Sequence, residues 1–131
     1  MLEELFAPYK DFSLLFLRLA VGGIFIAQGV IKFIGGVDGV ASFFAQHGIP
    51  LPGVMAPVVV AVEFFGGLAI VLGTSTRLAA LLLSVVTIVS MATVTFAMGF
   101  ASGYDLNIAL LGGLLCLLIA GPGRPAIGGD L

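Results

Sequence analysis

Glu63 is the first residue whose chemistry needs an explanation. It stands in an apolar run, nine positions after Val54, about 13 Å along a helix that rises 1.5 Å per residue. An unpaired carboxylate at that depth in lipid costs several kcal/mol. It must therefore face the interior of a bundle and either meet a cation or carry its proton. Gly66, Gly67 and Ile70 share its helical face, so another helix can come close there. Partners stand upstream. Arg18, Val21, Phe25, Gln28 and Lys32 follow a/d spacing and form one seam. Gln28 and Lys32, four apart, stack on one face. Counted from Ile34, Gln28 is about 9 Å deep and Lys32 about 3 Å deep, and the lysine stem adds reach. Lys32 or Gln28 is thus the natural partner of Glu63. Tyr104 and Asn107 lie three apart on a later helix, and His47 lies in a nearby loop. One half of the membrane then collects Glu63, Lys32, Gln28, Tyr104 and Asn107, the candidate ligand-binding set. Its chemistry would be hydrogen bonding to a small ligand and proton handling. The same cluster serves equally well as a polar network that only fixes helix register.

To hold these groups, the chain needs helices that cross a membrane. Four runs of the required length, near 20 mostly apolar residues, are predicted at 13–34, 54–73, 77–98 and 104–120. Each stop uses Gly or Pro: Gly35-Gly36, Gly73 and Gly121-Pro122-Gly123. Sustained alternation at period two, which barrel strands require, is missing. Backbone groups in lipid must then be paired within each segment, which leaves helices. Between the first two spans, Val37 to His47 has helical spacing, with Val37, Val40, Ala41 and Phe44 on one face. It reads as a short helix lying in the outer interface. The expected fold is an all-α integral membrane four-helix bundle, a single transmembrane domain over residues 1–131.

Composition supports that class. The 131 residues are 60% apolar and 9% charged, against about 25% charged in average soluble domains. Mean hydropathy is +1.26. Five basic and seven acidic side chains, net charge -2, exclude a soluble enzyme, a nucleic-acid binder and a disordered tail. Cys116 is the only cysteine and His47 the only histidine. Neither an internal disulfide, a zinc site nor a haem ligand pair can be built, and no metal site is expected. The acidic start at Glu3 and Glu4 lacks the basic region of an export signal, so the first span is expected to be retained. Lys10, Arg18, Arg77 and Arg124 fall on one side of the spans and Lys32 near the other. Four against one predicts both termini in the cytoplasm of an inner-membrane protein.

Several residues have plainer readings. Arg18, Arg77 and Arg124 serve as topology anchors that snorkel to the inner interface. Asp105 fits a capping box with Ser102. Thr87 and Ser90 can bond back to their own helix. Cys116 reads as an inert packing residue. The 19 glycines are far above the usual share of about 7%. Gly22, Gly23, Ala27, Gly66, Gly67, Gly112 and Gly113 are expected to mark close helix contacts. A weak internal echo pairs Arg18-Leu19-Ala20 with Arg77-Leu78-Ala79, and Gly66-Gly67-Leu68 with Gly112-Gly113-Leu114. It fits two helical hairpins repeated in parallel.

Short motifs in a fixed order also carry a resemblance. Arg18-Leu19-Ala20 with Gly29-Val30-Ile31-Lys32, Gly48-Ile49-Pro50-Leu51-Pro52, Glu63-Phe64-Phe65-Gly66-Gly67, Gly73 to Ala80, Gly103-Tyr104-Asp105-Leu106 and Gly121-Pro122-Gly123-Arg124 resemble the DoxX family over about residues 13–125. The resemblance implies a small four-span membrane protein. Some relatives are subunits of thiosulfate:quinone oxidoreductase, and others are linked to membrane thiol-redox assemblies. It carries over Lys32, Glu63 and Tyr104 as motif residues. Gln28 departs from it, since such sequences often have histidine there. The expected function is a redox-associated membrane subunit with a quinone or other small apolar ligand site in the outer half, no covalent cofactor, and electrons from a soluble partner. Two alternatives are a non-enzymatic anchor for soluble redox partners and a small-molecule or ion carrier, the latter working as a homo-oligomer.

Overall fold

A computed structural model describes residues 1–123. It is all-helical among these residues, in the order α1 (Leu2–Phe6), a 3-10 turn (Ala7–Phe12), α2 (Ser13–Ile34), α3 (Val37–Gln46), α4 (Pro52–Leu72), α5 (Thr76–Ser90) and α6 (Asp105–Ala120). Between α5 and α6 the helical path continues irregularly. It passes through a π turn at Met91–Thr95, a 3-10 turn at Phe96–Met98 and a second π turn at Phe100–Tyr104. Four helices are long and apolar enough to cross a membrane: Ser13–Ile34, Pro52–Leu72, Thr76–Met98 and Phe100–Ala120. The molecule is an integral membrane four-helix bundle with the short extra helix α3 between its first two spans.

The closest pairing is α2 against α4, and glycine makes it possible. A Cβ on Gly22 would fall 2.7 Å from the Gly67 carbonyl oxygen, and one on Gly67 would fall 2.7 Å from that of Gly22. About two turns further along α2, a Cβ on Gly29 would meet the Phe64 backbone nitrogen at 2.9 Å. Lipid tails are as apolar as leucine, so helices in a membrane associate by this kind of backbone approach. Helix α6 approaches α2 similarly at Gly113, where a Cβ would lie 2.8 Å from Val21 Cγ2, and Gly66 packs on Leu83 of α5. Gly23 and Gly112 differ from expectation. Nothing lies within 4 Å of their Cβ positions, and Ala27 is exposed. Gly23 and Gly112 each sit beside a contact glycine, Gly22 or Gly113, at an adjacent helical position that points away from the partner. The core gathers Val21, Phe25, Ile70, Ala79, Ala80, Leu83, Leu110, Leu114 and Leu117.

Three other expectations are corrected. Arg18 is 2% exposed and does not snorkel. Its Nε donates to the Ile70 carbonyl at 2.9 Å, Nη2 to Val71 at 2.8 Å and Nη1 to Pro122 at 3.1 Å. A helix leaves its last carbonyls without partners, and a guanidinium fork can satisfy several at once. Arg77 makes a longer contact, 3.5 Å, to the Ile119 carbonyl at the end of α6, while Arg124 lies outside the described residues. No capping box forms at Ser102, whose φ of 60° takes it out of the helix. Asp105 instead accepts the Leu106 N–H at 2.8 Å. Cys116 faces outward.

Candidate functional site

The seam of α2 points inward as its spacing requires. Arg18, Val21 and Phe25 are buried, and Gln28 and Lys32 half-buried. On α4, Glu63, Gly67 and Ile70 are buried along one face. Because Gly22, Gly29 and Gly67 let the two backbones touch, the ends of these seams meet. Lys32 Nζ donates to Glu63 Oε1 at 2.6 Å. The partners are unequally placed: the Glu63 side chain is 3% exposed and that of Lys32 33%. The carboxylate is fixed in the protein interior, whereas the ammonium stands at a boundary.

The pair borders a cavity of about 850 Å³. Phe25, Gln28, Ile31 and Lys32 of α2 form one wall, with Met55, Val58, Val59, Val62 and Glu63 of α4 beside them. Val40, Phe43 and Phe44 of α3 close one end, and α5 and α6 supply Leu82, Val85, Val86, Thr87, Val89, Asn107 and Leu110. Helix α3 reaches this position because Gly36 turns at φ 99° directly after α2, a conformation that glycine adopts without steric cost. Its apolar face then turns inward, with Phe44 buried and Val37, Val40 and Ala41 half-buried. Volumes of 300–1,000 Å³, apolar walls and a few fixed polar groups are usual for small-molecule sites.

Four of the five sequence-predicted residues, Glu63, Lys32, Gln28 and Asn107, line this cavity. The Asn107 amide also reaches across to the Thr87 carbonyl of α5, a 3.5 Å contact. Tyr104 is placed elsewhere. It stacks on Phe96 and meets Phe100 edge-on, each with ring centroids 5.4 Å apart. This aromatic cluster closes the corner between α5 and α6. His47 ends α3, with Nδ1 2.9 Å from the Phe43 carbonyl and its ring over that of Phe43, outside the cavity lining. Thr87, Ser90 and Thr95 line the cavity without having been expected there. Thr87 does bond back to Leu83, at 2.8 Å, as its type predicts. The Thr95 hydroxyl is buried without a hydrogen-bond partner. Its position on the wall follows from the π turn Met91–Thr95, which shifts the helical face and leaves no mark in periodicity. Among the described residues no group of His, Cys, Asp and Glu could hold a metal ion.

Comparison with known proteins bears on this arrangement. The DoxX family profile matches residues 13–96, the stretch that contains both members of the ion pair. Escherichia coli (strain K12) has a similar protein named "Inner membrane protein YqjF", 35% identical over 123 residues, which cover 90% of this chain and 91% of that protein. The Bacillus subtilis (strain 168) protein named "Putative oxidoreductase CatD" is 34% identical over 104 residues, 78% of this chain and 75% of that one. No solved structure matches the chain at a significant level.

Proposed function

This chain belongs to the DoxX family of membrane proteins, and from that premise we propose that it is the membrane subunit of a redox system, binding a quinone or a similar small apolar ring. The observation that carries the reading is the Lys32–Glu63 pair, 2.6 Å apart, on the wall of an otherwise largely apolar cavity of about 850 Å³. Apolar walls suit the ring, and a few convergent polar groups suit its oxygens. The name of the Bacillus subtilis relative, "Putative oxidoreductase CatD", favours the same class of chemistry. A quinone supplies the redox capacity, taking two electrons from a soluble reductant together with two protons.

The chain's own part is binding and proton placement. Lys32 Nζ, one-third exposed, donates a hydrogen bond to a ring carbonyl oxygen. Glu63 keeps a carboxyl group within reach of the same oxygen and can pass a proton there. The amides of Gln28 and Asn107 orient the ring from α2 and α6. The walls from Phe25, Phe44 and the valines of α4 and α5 keep water away. Titration of the purified protein with a benzoquinone tests this reading. Saturable binding is expected in the wild type and its loss in Glu63→Gln. A wild type that shows no saturation overturns it.

A further inference from the structure

A second hollow runs along the lipid-facing seam between α4 and α5. It holds about 340 Å³ and shares two wall residues, Val62 and Leu82, with the large cavity. From there it passes between Phe65 of α4 and Leu78 of α5 to Ala69 and Ser75, seven residues along each helix and therefore about 10 Å. Its floor is of small residues, Gly66 and Ala79 among them. The large cavity opens towards it. Val58, Leu82, Val85 and Val89 line that cavity and are nevertheless 43–52% exposed on the lipid side. The wall between α4 and α5 thus has a lateral gap that leads into the groove.

The distribution of polar groups says what such a shape would hold. Lys32, Glu63, Gln28 and Asn107 all border the large cavity, while the groove lining is apolar as far as Ser75 at its end. The matching molecule is polar at one end, apolar and elongated at the other, and reaches the site from within the bilayer. We propose that the α4–α5 groove is the track for the apolar tail of a long-tailed quinone whose ring occupies the cavity. This inference rests on the ring site proposed above and narrows its ligand from a free ring to a membrane-resident one. A tail gains little by leaving lipid for an equally apolar groove. The track therefore acts by shape, giving the tail an exit that does not displace α4 or α5.

The test uses two probes: a benzoquinone with a decyl tail and the same ring without it. Each is titrated against the full chain in nanodiscs, and variants are compared with the wild type under the same lipid, which removes the difference in membrane partition between the probes. Ala69→Phe fills the far part of the groove. Ala61→Phe, at an exposed groove position, is the second variant, chosen because no core packing depends on it. Weakening of the tailed probe by about tenfold or more, an equilibrium change of about 1.4 kcal/mol, with the tailless probe unchanged, is the expected result. If Ala69→Phe loses both probes, Ala61→Phe decides. Equal binding of both probes in both variants overturns the track and leaves the ring site standing. Failure of either probe to saturate the wild type overturns the ring site itself. Conversion of a wild-type dimer to a monomer by either variant, or a co-purified phospholipid that the tailed probe does not displace, also overturns the proposal, since the groove then belongs to a second copy or to bilayer lipid.

Discussion

Lys32 and Glu63 are unequal partners, and the asymmetry sets what each substitution does. The Glu63 side chain is 3% exposed, whereas that of Lys32 is one-third exposed and has a flexible stem. Removing the cation leaves a buried charge without compensation, so Lys32→Met should destabilise the fold by about 3 kcal/mol. Removing the carboxylate leaves an ammonium that can swing to the interface, so Glu63→Gln should cost under about 1 kcal/mol. The double variant should recover most of the Lys32→Met loss. Unfolding in mixed micelles measures all three, and equal costs for the two single changes would contradict the assigned burial. Arg18 offers a second case. Its guanidinium serves the Ile70, Val71 and Pro122 carbonyls together. A lysine ammonium keeps the charge but lacks the planar fork that spans them. Arg18→Lys should therefore lose about 2 kcal/mol in the same assay, where an interfacial anchor would tolerate the change.

At the scale of elements, the chain is two helical hairpins, α2–α4 and α5–α6, built to a related plan. In each, an arginine near the start of the first span reaches the carbonyls that end the second: Arg18 to Ile70 and Val71, Arg77 to Ile119. In each, a glycine with φ near 80° follows that end, Gly73 or Gly121. In each, a glycine inside the second span packs on α2, Gly67 against Gly22 and Gly113 against Val21. The echo in the sequence therefore has a structural counterpart, with Arg18 joining the hairpins through Pro122. The glycines separate cleanly into two groups, and alanine tells them apart. Gly22→Ala and Gly67→Ala force a Cβ into opposing backbone and should cost about 1–3 kcal/mol. Gly23→Ala and Gly112→Ala meet open space and gain helix propensity, so they should stay within about 0.5 kcal/mol of the wild type or improve on it. Much of this was legible beforehand because lipid imposes strong rules. The four spans, α3 and the Lys32–Glu63 pairing all follow from length, periodicity and the cost of a buried charge. The rest depended on features without a periodic signature. Periodicity finds a helix face, but not which of two adjacent glycines meets a neighbour. It also carries straight through Met91–Tyr104, where π and 3-10 turns move Thr95 onto the cavity wall and Tyr104 off it. Arg18 was misread because a basic residue near a span end usually snorkels, and only the carbonyls converging from α4 and Pro122 show otherwise.

For the whole molecule, the open physical question is which way it sits in the membrane, and the structure changes the weight of each charge in that argument. Positive residues bias orientation when they stand free near a span end. Lys32, the only Lys or Arg near the α3 end among the described residues, is paired with Glu63 and offers little net charge to oppose the bias. Arg18 is wholly buried and its charge is shared among carbonyls, so it too counts for less than its position suggests. Lys10 is exposed at the opposite end, where the half-buried Arg77 reaches the Ile119 carbonyl and keeps its charge near the interface. From this balance we expect α1 on the cytoplasmic side and α3, with the Lys32–Glu63 end of the cavity, on the outer side. Cysteine labelling checks this directly once the lipid-facing Cys116 is replaced by alanine. Ser42→Cys on α3 and Glu4→Cys on α1 both occupy exposed positions. In intact spheroplasts a membrane-impermeant maleimide should modify the first and spare the second until the membrane is opened. The reverse pattern would put the Lys32–Glu63 cavity on the cytoplasmic side, within reach of a cytoplasmic reductant. Any soluble redox partner would then dock on α3 and not at the α1 end.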